Sequence, residues 1–478
     1  MFYSNYPRIV IGGLSGDSGK SMISCGLLAS LVDRGMNTAA FKKGPDYIDA
    51  AWLSLASTNP ARNLDTYLMG YPTVKRSFLN NAVNNGLNVI EGNRGVFDGG
   101  DSRGTHSTAE LAKLLQSPVI LVLDISKVTR TAAAVVLGCI KLDPQLNIAG
   151  IVLNNVAGER HASITKNAIE EISSIPVIGL VPKLEDRFHL PSRHLGLITP
   201  VEFERGESLI NDLKTIVEDY VDISKIIKIA QTASILEGKD KAHTENEFEE
   251  DELEKVKIGY FKDQSFSFYY PENLELLTKA GAELTQISST SHIALQELEK
   301  LDALYIGGGF PETNITQISL NRDLMVSLKS LVEDGLPVYA ECGGLMYLAD
   351  SLEWRGTEYP LTGILPISIK MYNKPQGHGY SEVIVDKENP FFETGTVLKG
   401  HEFHYSKIYE CDPEVKSSFS VSRGTGCFNK RDGLVYKNVL ASYFHTHALA
   451  TPEWVTGMIK CARKYHNLKK SFSSVELI

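Results

Sequence analysis

The chain has 478 residues, of which 43% are hydrophobic, 9% aromatic and 22% charged. At roughly 100–200 residues per domain this is a globular protein of two to four domains, which excludes a single small binding module, a disordered chain or a fibre. Acidic residues outnumber basic ones by 58 to 48, for a formal charge of −10; that balance argues against nucleic acid as a partner, while a local basic site could still hold phosphate. No apolar run approaches the roughly 20 residues that span a bilayer, the first seven residues lack a signal-peptide pattern, and the six cysteines form no CxxC pair. The expectation is a cytoplasmic protein with no membrane partner, whose cysteines are thiols and five of them structural.

In chain order, the first half alternates apolar runs rich in β-branched residues (8–11, 38–41, 88–90, 119–123, 148–153 and 177–178) with helical patterns such as 20–34. Continuous rather than alternating hydrophobicity predicts strands buried on both faces of a parallel sheet. Residues 237–254 then carry nine acidic residues, two lysines and almost nothing apolar, the pattern of a solvated linker. The pattern restarts with strands near 256–261, 303–306 and 336–340 and a helix near 271–280. The predicted organisation is therefore two doubly wound α/β domains, 1–236 and 256–478, joined by an acidic linker at 237–255.

The first predicted strand runs into Gly13-Leu14-Ser15-Gly16-Asp17-Ser18-Gly19-Lys20-Ser21 at the start of a helix. The backbone N–H groups around Gly13, Gly16 and Gly19 can wrap an anion at a helix N-terminus, Lys20 can reach terminal phosphates, and the Ser21 hydroxyl can ligate Mg²⁺. Five residues rather than four separate Gly13 from Gly19, one more than the usual phosphate loop. Charged groups recur at later strand ends: Lys42, Asp46 and Asp49 after the second strand, Glu91 and Asp98 after the third. Asp46, Glu91 and Asp98 are carboxylates suited to surround Mg²⁺ on phosphate oxygens, with Lys42 as a second neutralising charge. Asn154-Asn155 ends another strand and is open to two readings, a nucleobase contact or a turn.

In the second half, strand 338–340 leads into Glu341-Cys342-Gly343-Gly344 and an apolar helix. A cysteine on a sharp strand-to-helix turn has an exposed sulfur, a pKa expected to fall at the helix N-terminus, and backbone N–H groups beside it for an oxyanion. Gly307-Gly308-Gly309 ends another strand and supplies a second wall, so Gly309 and Gly343 are the oxyanion-hole candidates. The general base should be a histidine ending a further strand, and Phe444-His445-Thr446-His447 offers one. His445, first after the apolar run, is the preferred base, with His447 as an orienting partner and no acidic third member evident. His401 and His404 have a metal-like spacing but no further partners at ligand spacing, and 376–380 is open to a substrate cleft or a plain loop.

Together these residues resemble the cobyrinate a,c-diamide synthase family over nearly the whole chain. The marks are the long phosphate loop ending Gly19-Lys20-Ser21, Gly44 through Asp49, Arg62-Asn63-Leu64-Asp65, Glu91 with Phe97-Asp98-Gly99, Arg193 through Leu197, Cys342-Gly343-Gly344 and Gly400 through Ser406. The resemblance implies a P-loop NTPase-like, dethiobiotin-synthetase-like ATP-binding domain joined to a flavodoxin-like class I glutamine amidotransferase domain. It implies a ligase with Cys342 and His445 releasing ammonia from glutamine, and ATP activating tetrapyrrole carboxylates as acyl phosphates. Gly13, Gly16, Gly19, Lys20, Ser21, Lys42 and Asn155 would bind ATP, Ser21, Asp46 and Glu91 would hold Mg²⁺, and Asp98 and Asp49 would serve substrate positioning and phosphoryl transfer. The implied partners are small molecules, namely a tetrapyrrole acid, glutamine and ATP, and a homodimer is compatible with the sequence. Cobyrinic acid is the expected acceptor; nickel sirohydrochlorin and hydrogenobyrinic acid are alternatives. Of other classes, a nucleotide-switched partner-binding ATPase has no use for a reactive cysteine, and a Cys-His peptidase would react with peptide electrophiles.

Overall fold

The computed structural model describes residues 2–4, 6–188, 190–193, 196–238, 255–291 and 294–475, which divide into two compact units on either side of 239–254. Of the acidic tract expected as a linker, only Glu237, Gly238 and Lys255 are among the described residues, and Leu236–Gly238 pairs antiparallel with Phe2–Ser4. His194 and Leu195 of the 193–197 run also lie outside them.

The first unit is built on a seven-stranded sheet in the order Arg62–Leu64, Asn37–Lys43, Gly86–Glu91, Arg8–Gly13, Val119–Asp124, Ile148–Val156 and Val177–Pro182, with every pairing parallel. Strand Arg8–Gly13 lies in the middle and is buried along its length, which is why its sequence is continuously apolar rather than alternating. The edge strand Arg62–Leu64 is three residues long, too short to announce itself by pattern. Helix Lys20–Asp33 packs against both the sheet and helix Gly206–Tyr220 and is buried on nearly every side. The contact is close: a Cβ on Gly26 would stand 2.4 Å from the Leu213 carbonyl oxygen. Truncating Leu28, fully buried there, would cost about 2–5 kcal/mol.

A parallel sheet brings the C-terminal ends of its strands to one edge. The register sets Glu91 level with Ile11 on one side and Lys42 on the other, so the end of the phosphate-loop strand and two opposite charges meet at one height.

The second unit has a nine-stranded mixed sheet. Ala282–Ile287, Val256–Phe261, Ala303–Ile306, Val338–Glu341 and Val439–Ser442 run parallel. Arg431–Tyr436, Lys416–Arg423, Gly377–Val385 and Val397–His404 continue it antiparallel. A separate four-stranded sheet holds Thr357–Pro360, Ala349–Trp354, Leu365–Met371 and Ser406–Cys411. The sequence located four of the five parallel strands, which are largely apolar, but not Ala282–Ile287, whose AELTQI run is mostly polar. It did not locate the antiparallel half, whose strands expose one side and read as ordinary polar segments. The 376–380 run opens one of these strands, Gly377–Val385, with Gly377 paired to His404.

Candidate functional site

The phosphate loop leaves the central strand at Gly13 and enters helix Lys20–Asp33 through Gly19, whose φ of 99° lies in the region that favours glycine. Lys20 Nζ donates to the Ser15 carbonyl at 2.6 Å and to Ser18 Oγ at 3.3 Å, so the loop closes on its own lysine. Asn154 Nδ2 donates to the Ser18 carbonyl at 3.1 Å and braces the loop from strand Ile148–Val156. Asn155, the expected nucleotide contact, has φ 60° and turns its side chain to Asp124. Of the pair, Asn154 is the residue that touches the loop.

Beside the loop sits a buried charge cluster. Lys42 Nζ donates to Asp49 Oδ2 at 2.5 Å, to Glu91 Oε1 at 2.7 Å and to the Gly92 carbonyl at 3.1 Å, and Ser21 Oγ donates to the same Glu91 Oε1 at 2.8 Å. Burial works against the Lys42 charge, but Asp49 and Glu91 outweigh it and raise the pKa. Burial, opposed by Lys42, raises the Glu91 carboxyl. Asp46 caps helix Tyr47–Ser57, its Oδ1 accepting from the N–H groups of Ile48 and Asp49 at 2.9 Å each; desolvation, then Asp49, pushes it up to about 7. Asp98 Oδ2 accepts from Gly95 N–H at 2.8 Å and holds its own turn.

These donors fit Mg²⁺. Glu91 Oε2 is buried with no hydrogen-bond partner among the described residues, and Ser21 and Asp46 add hard oxygens. No three His, Cys, Asp or Glu side chains among the described residues are grouped as a metal site, so Asp46, Glu91 and Asp98 do not come together as the three carboxylates expected around the ion, and Asp98 is engaged in its own turn.

In the second unit, Cys342 follows strand Val338–Glu341 with φ 49° and ψ −96°, the strained turn expected of a nucleophile. Its Sγ donates to the Phe403 carbonyl at 3.8 Å, and its N–H donates to the Ser442 carbonyl at 2.7 Å. The pKa runs opposite to the sequence expectation: burial, then the Glu312 carboxylate, push the thiol up, outweighing a helix of only five residues. The resting thiol is protonated, so attack requires a base.

His445 follows the neighbouring strand Val439–Ser442, whose last residue is level with Glu341, just before Cys342. Its N–H donates to the His401 carbonyl at 2.9 Å, and its ring stacks on that of His401 with centroids 4.8 Å apart and planes 16° from parallel. Its Nδ1 faces Glu341 Oε2 at 3.5 Å. Gly308 passes against the ring, where a Cβ would meet Cε1 at 2.6 Å. A Cβ on Gly343 would stand 3.1 Å from the Gly309 backbone nitrogen, and one on Gly309 would meet the Ser265 carbonyl oxygen at 2.1 Å. Both expected oxyanion-hole positions thus adjoin, and the second admits no side chain.

His447 is fully buried, packs its ring on Tyr270 at 4.4 Å and faces Glu272 at 3.9 Å. Its place is in the turn toward helix Pro452–Val475. His404 stacks on Tyr443 at 3.7 Å and donates from Nδ1 to the Ser406 carbonyl at 2.7 Å. Sequence reasoning passed over Glu341, although a carboxylate closing an apolar strand directly before the nucleophile was a visible signal.

Residues 9–198 match the CobQ/CobB/MinD/ParA nucleotide binding domain, and residues 257–453 match the CobB/CobQ-like glutamine amidotransferase domain. A cobyrinate a,c-diamide synthase of Magnetococcus marinus is 39% identical over 449 residues, covering 94% of this chain and 95% of that protein. One of Archaeoglobus fulgidus is 39% identical over 459 residues, covering 96% and 98%, and one of Methanobrevibacter smithii is 37% identical over 460 residues, covering 96% and 99%. Among the described residues no helix is long and apolar enough to cross a membrane. With both halves matched in order and the relatives covered almost end to end, the chain belongs to the cobyrinate a,c-diamide synthase family and is a glutamine-dependent, ATP-driven ligase.

Proposed function

We propose that the chain amidates the a and c side-chain carboxylates of cobyrinic acid in the cytoplasm, as a step of cobalamin biosynthesis. The observation that carries this is the joining, in one chain, of a cysteine nucleophile turn at Cys342 to a phosphate loop with the buried Lys42–Glu91 pair, in a chain 39% identical over 94% of its length to a relative named for that reaction.

In the second unit, His445 takes the Sγ proton as Cys342 attacks the side-chain amide carbon of glutamine. The N–H groups of Gly309 and Gly343 hold the oxyanion, His445 returns the proton to the leaving nitrogen, and ammonia departs. Water then cleaves the thioester to glutamate. In the first unit, a carboxylate oxygen of the acceptor attacks the γ-phosphorus of ATP and ADP leaves, because a free carboxylate is a poor electrophile. Ammonia attacks the acyl carbon and phosphate departs. The backbone around Gly13, Gly16 and Gly19 cradles the phosphates, while Lys20 and Lys42 neutralise the transferring charge. Ser21, Asp46 and Glu91 would hold Mg²⁺, which when bound neutralises phosphate oxygens. Asp49 and Asp98 position the acceptor acid, and Asn155 borders the nucleotide.

The test is mass spectrometry of products after incubation with ATP, Mg²⁺, glutamine and, in separate tubes, cobyrinic acid, hydrogenobyrinic acid and nickel sirohydrochlorin. Conversion of two carboxylates to amides is expected with cobyrinic acid. Diamidation confined to another tube, or none in any, overturns the assignment of the acceptor.

A further inference from the structure

A histidine base needs something to hold its second nitrogen. Which ring nitrogen carries the proton decides whether the other can accept one, and an imidazolium formed in a water-poor site is costly without a counter-charge. His447 does not serve: its ring is turned to Tyr270 and Glu272. The carboxylate that faces His445 comes from the strand carrying the nucleophile.

Glu341 is fully buried. Its Oε1 accepts from the Thr446 N–H at 2.9 Å, its Oε2 accepts from Tyr305 OH at 3.1 Å, and Oε2 lies 3.5 Å from His445 Nδ1. The bond to Thr446 ties the carboxylate to the backbone that bears the histidine, so the two move together. The stack on His401 and the passage of Gly308 fix the plane of the imidazole. With a carboxylate 3.5 Å from Nδ1, the proton of the neutral ring belongs on Nδ1, and Nε2 is left to accept from Sγ. We propose that Glu341 is the positioning residue of the glutamine half-reaction: it selects the Nδ1–H tautomer of His445 and stabilises the imidazolium formed when Cys342 attacks.

This rests on the proposed roles of Cys342 and His445. The titratable groups facing the His445 ring are Glu341 and His401, with Tyr305 behind Glu341, and with His378 and His447 also acting on His401. Burial and these neighbouring histidines hold His401 well below the usual imidazole range, so it stays neutral.

The test compares wild type, Glu341→Gln and Glu341→Asp in glutamate release from glutamine across pH, with amidation from ammonium salts as a control. For Glu341→Gln, kcat is expected to fall by roughly 10²–10⁴-fold, as when the carboxylate behind a catalytic histidine becomes an amide. KM should stay within about threefold, and the acid limb of kcat/KM should move to lower pH because the imidazolium has lost its counter-charge. Glu341→Asp should recover at least about tenfold of the loss, and ammonium-driven amidation should be unchanged. A glutaminase kcat within threefold of wild type and an unmoved acid limb overturn the proposal. If Glu341→Gln does not fold, the Asp variant decides: a moved acid limb with lowered kcat supports it, and an unmoved limb overturns it. Absence of glutamate release from wild type would instead defeat the assignment of Cys342 and His445.

Discussion

The phosphate end and the nucleophile end of this chain both lie where parallel strands stop, yet they hold their charged groups in different ways. At the phosphate end the cations are already engaged by the protein: Lys20 by the carbonyl of its own loop, Lys42 by Asp49 and Glu91. A nucleotide would have to replace those contacts, so this site is completed by its ligand. At the nucleophile end the groups are held in place by backbone. Cys342 sits in a strained turn, the Gly309 nitrogen lies against Gly343, and His445 is clamped between His401 and Gly308. Phosphoryl transfer asks chiefly for charge neutralisation, which can be assembled on binding, whereas attack by a protonated thiol needs base and oxyanion donors in place beforehand.

The comparison breaks most sharply at Cys342. Replacing it with alanine should lower glutamate release by about 10⁴-fold or more, since a missing nucleophile is not compensated by the rest of the constellation. Amidation from ammonium salts should persist; its loss in a folded variant would show that the two ends do not divide the labour. Lys42→Met should abolish amidation from either nitrogen source. It also strands Asp49 and Glu91 without their cation, a buried loss of about 3–5 kcal/mol visible as a lower melting temperature. Gly308→Ala tests rigidity at the other end. A methyl 2.6 Å from His445 Cε1 must displace the ring, and a displacement of about 1 Å costs up to about 10²-fold, so glutamate release should fall 10- to 100-fold with ammonium-driven amidation intact. Asn154→Ala has the smallest effect: losing one hydrogen bond of about 0.5–1.5 kcal/mol to the loop should raise KM for ATP by roughly three- to tenfold. An unchanged KM would mean the loop needs no brace.

Much of the molecule was legible in local pattern. Six of the seven strands of the first sheet, the phosphate loop and the Cys342 turn each rest on a short segment whose chemistry is local: glycine beside a helix start, a thiol on a tight turn, an apolar run buried on two faces. The Cys342 pKa was misread because helix position is local, whereas the burial and the Glu312 carboxylate that dominate it come from elsewhere in the fold. Asn154 reaches the loop while the left-handed Asn155 turns to Asp124, a division of the pair that the sequence left open.

The sequence by itself determined the reaction class, since a phosphate loop and a cysteine elbow each need only their own few residues in order. Tertiary structure alone decided which carboxylate serves which cation and which histidine. Lys42 meets Glu91 through register across two strands 49 positions apart, and Glu341 meets His445 across 104 positions. Such pairs are selected by the height at which parallel strands align, and no pattern along the chain encodes that height.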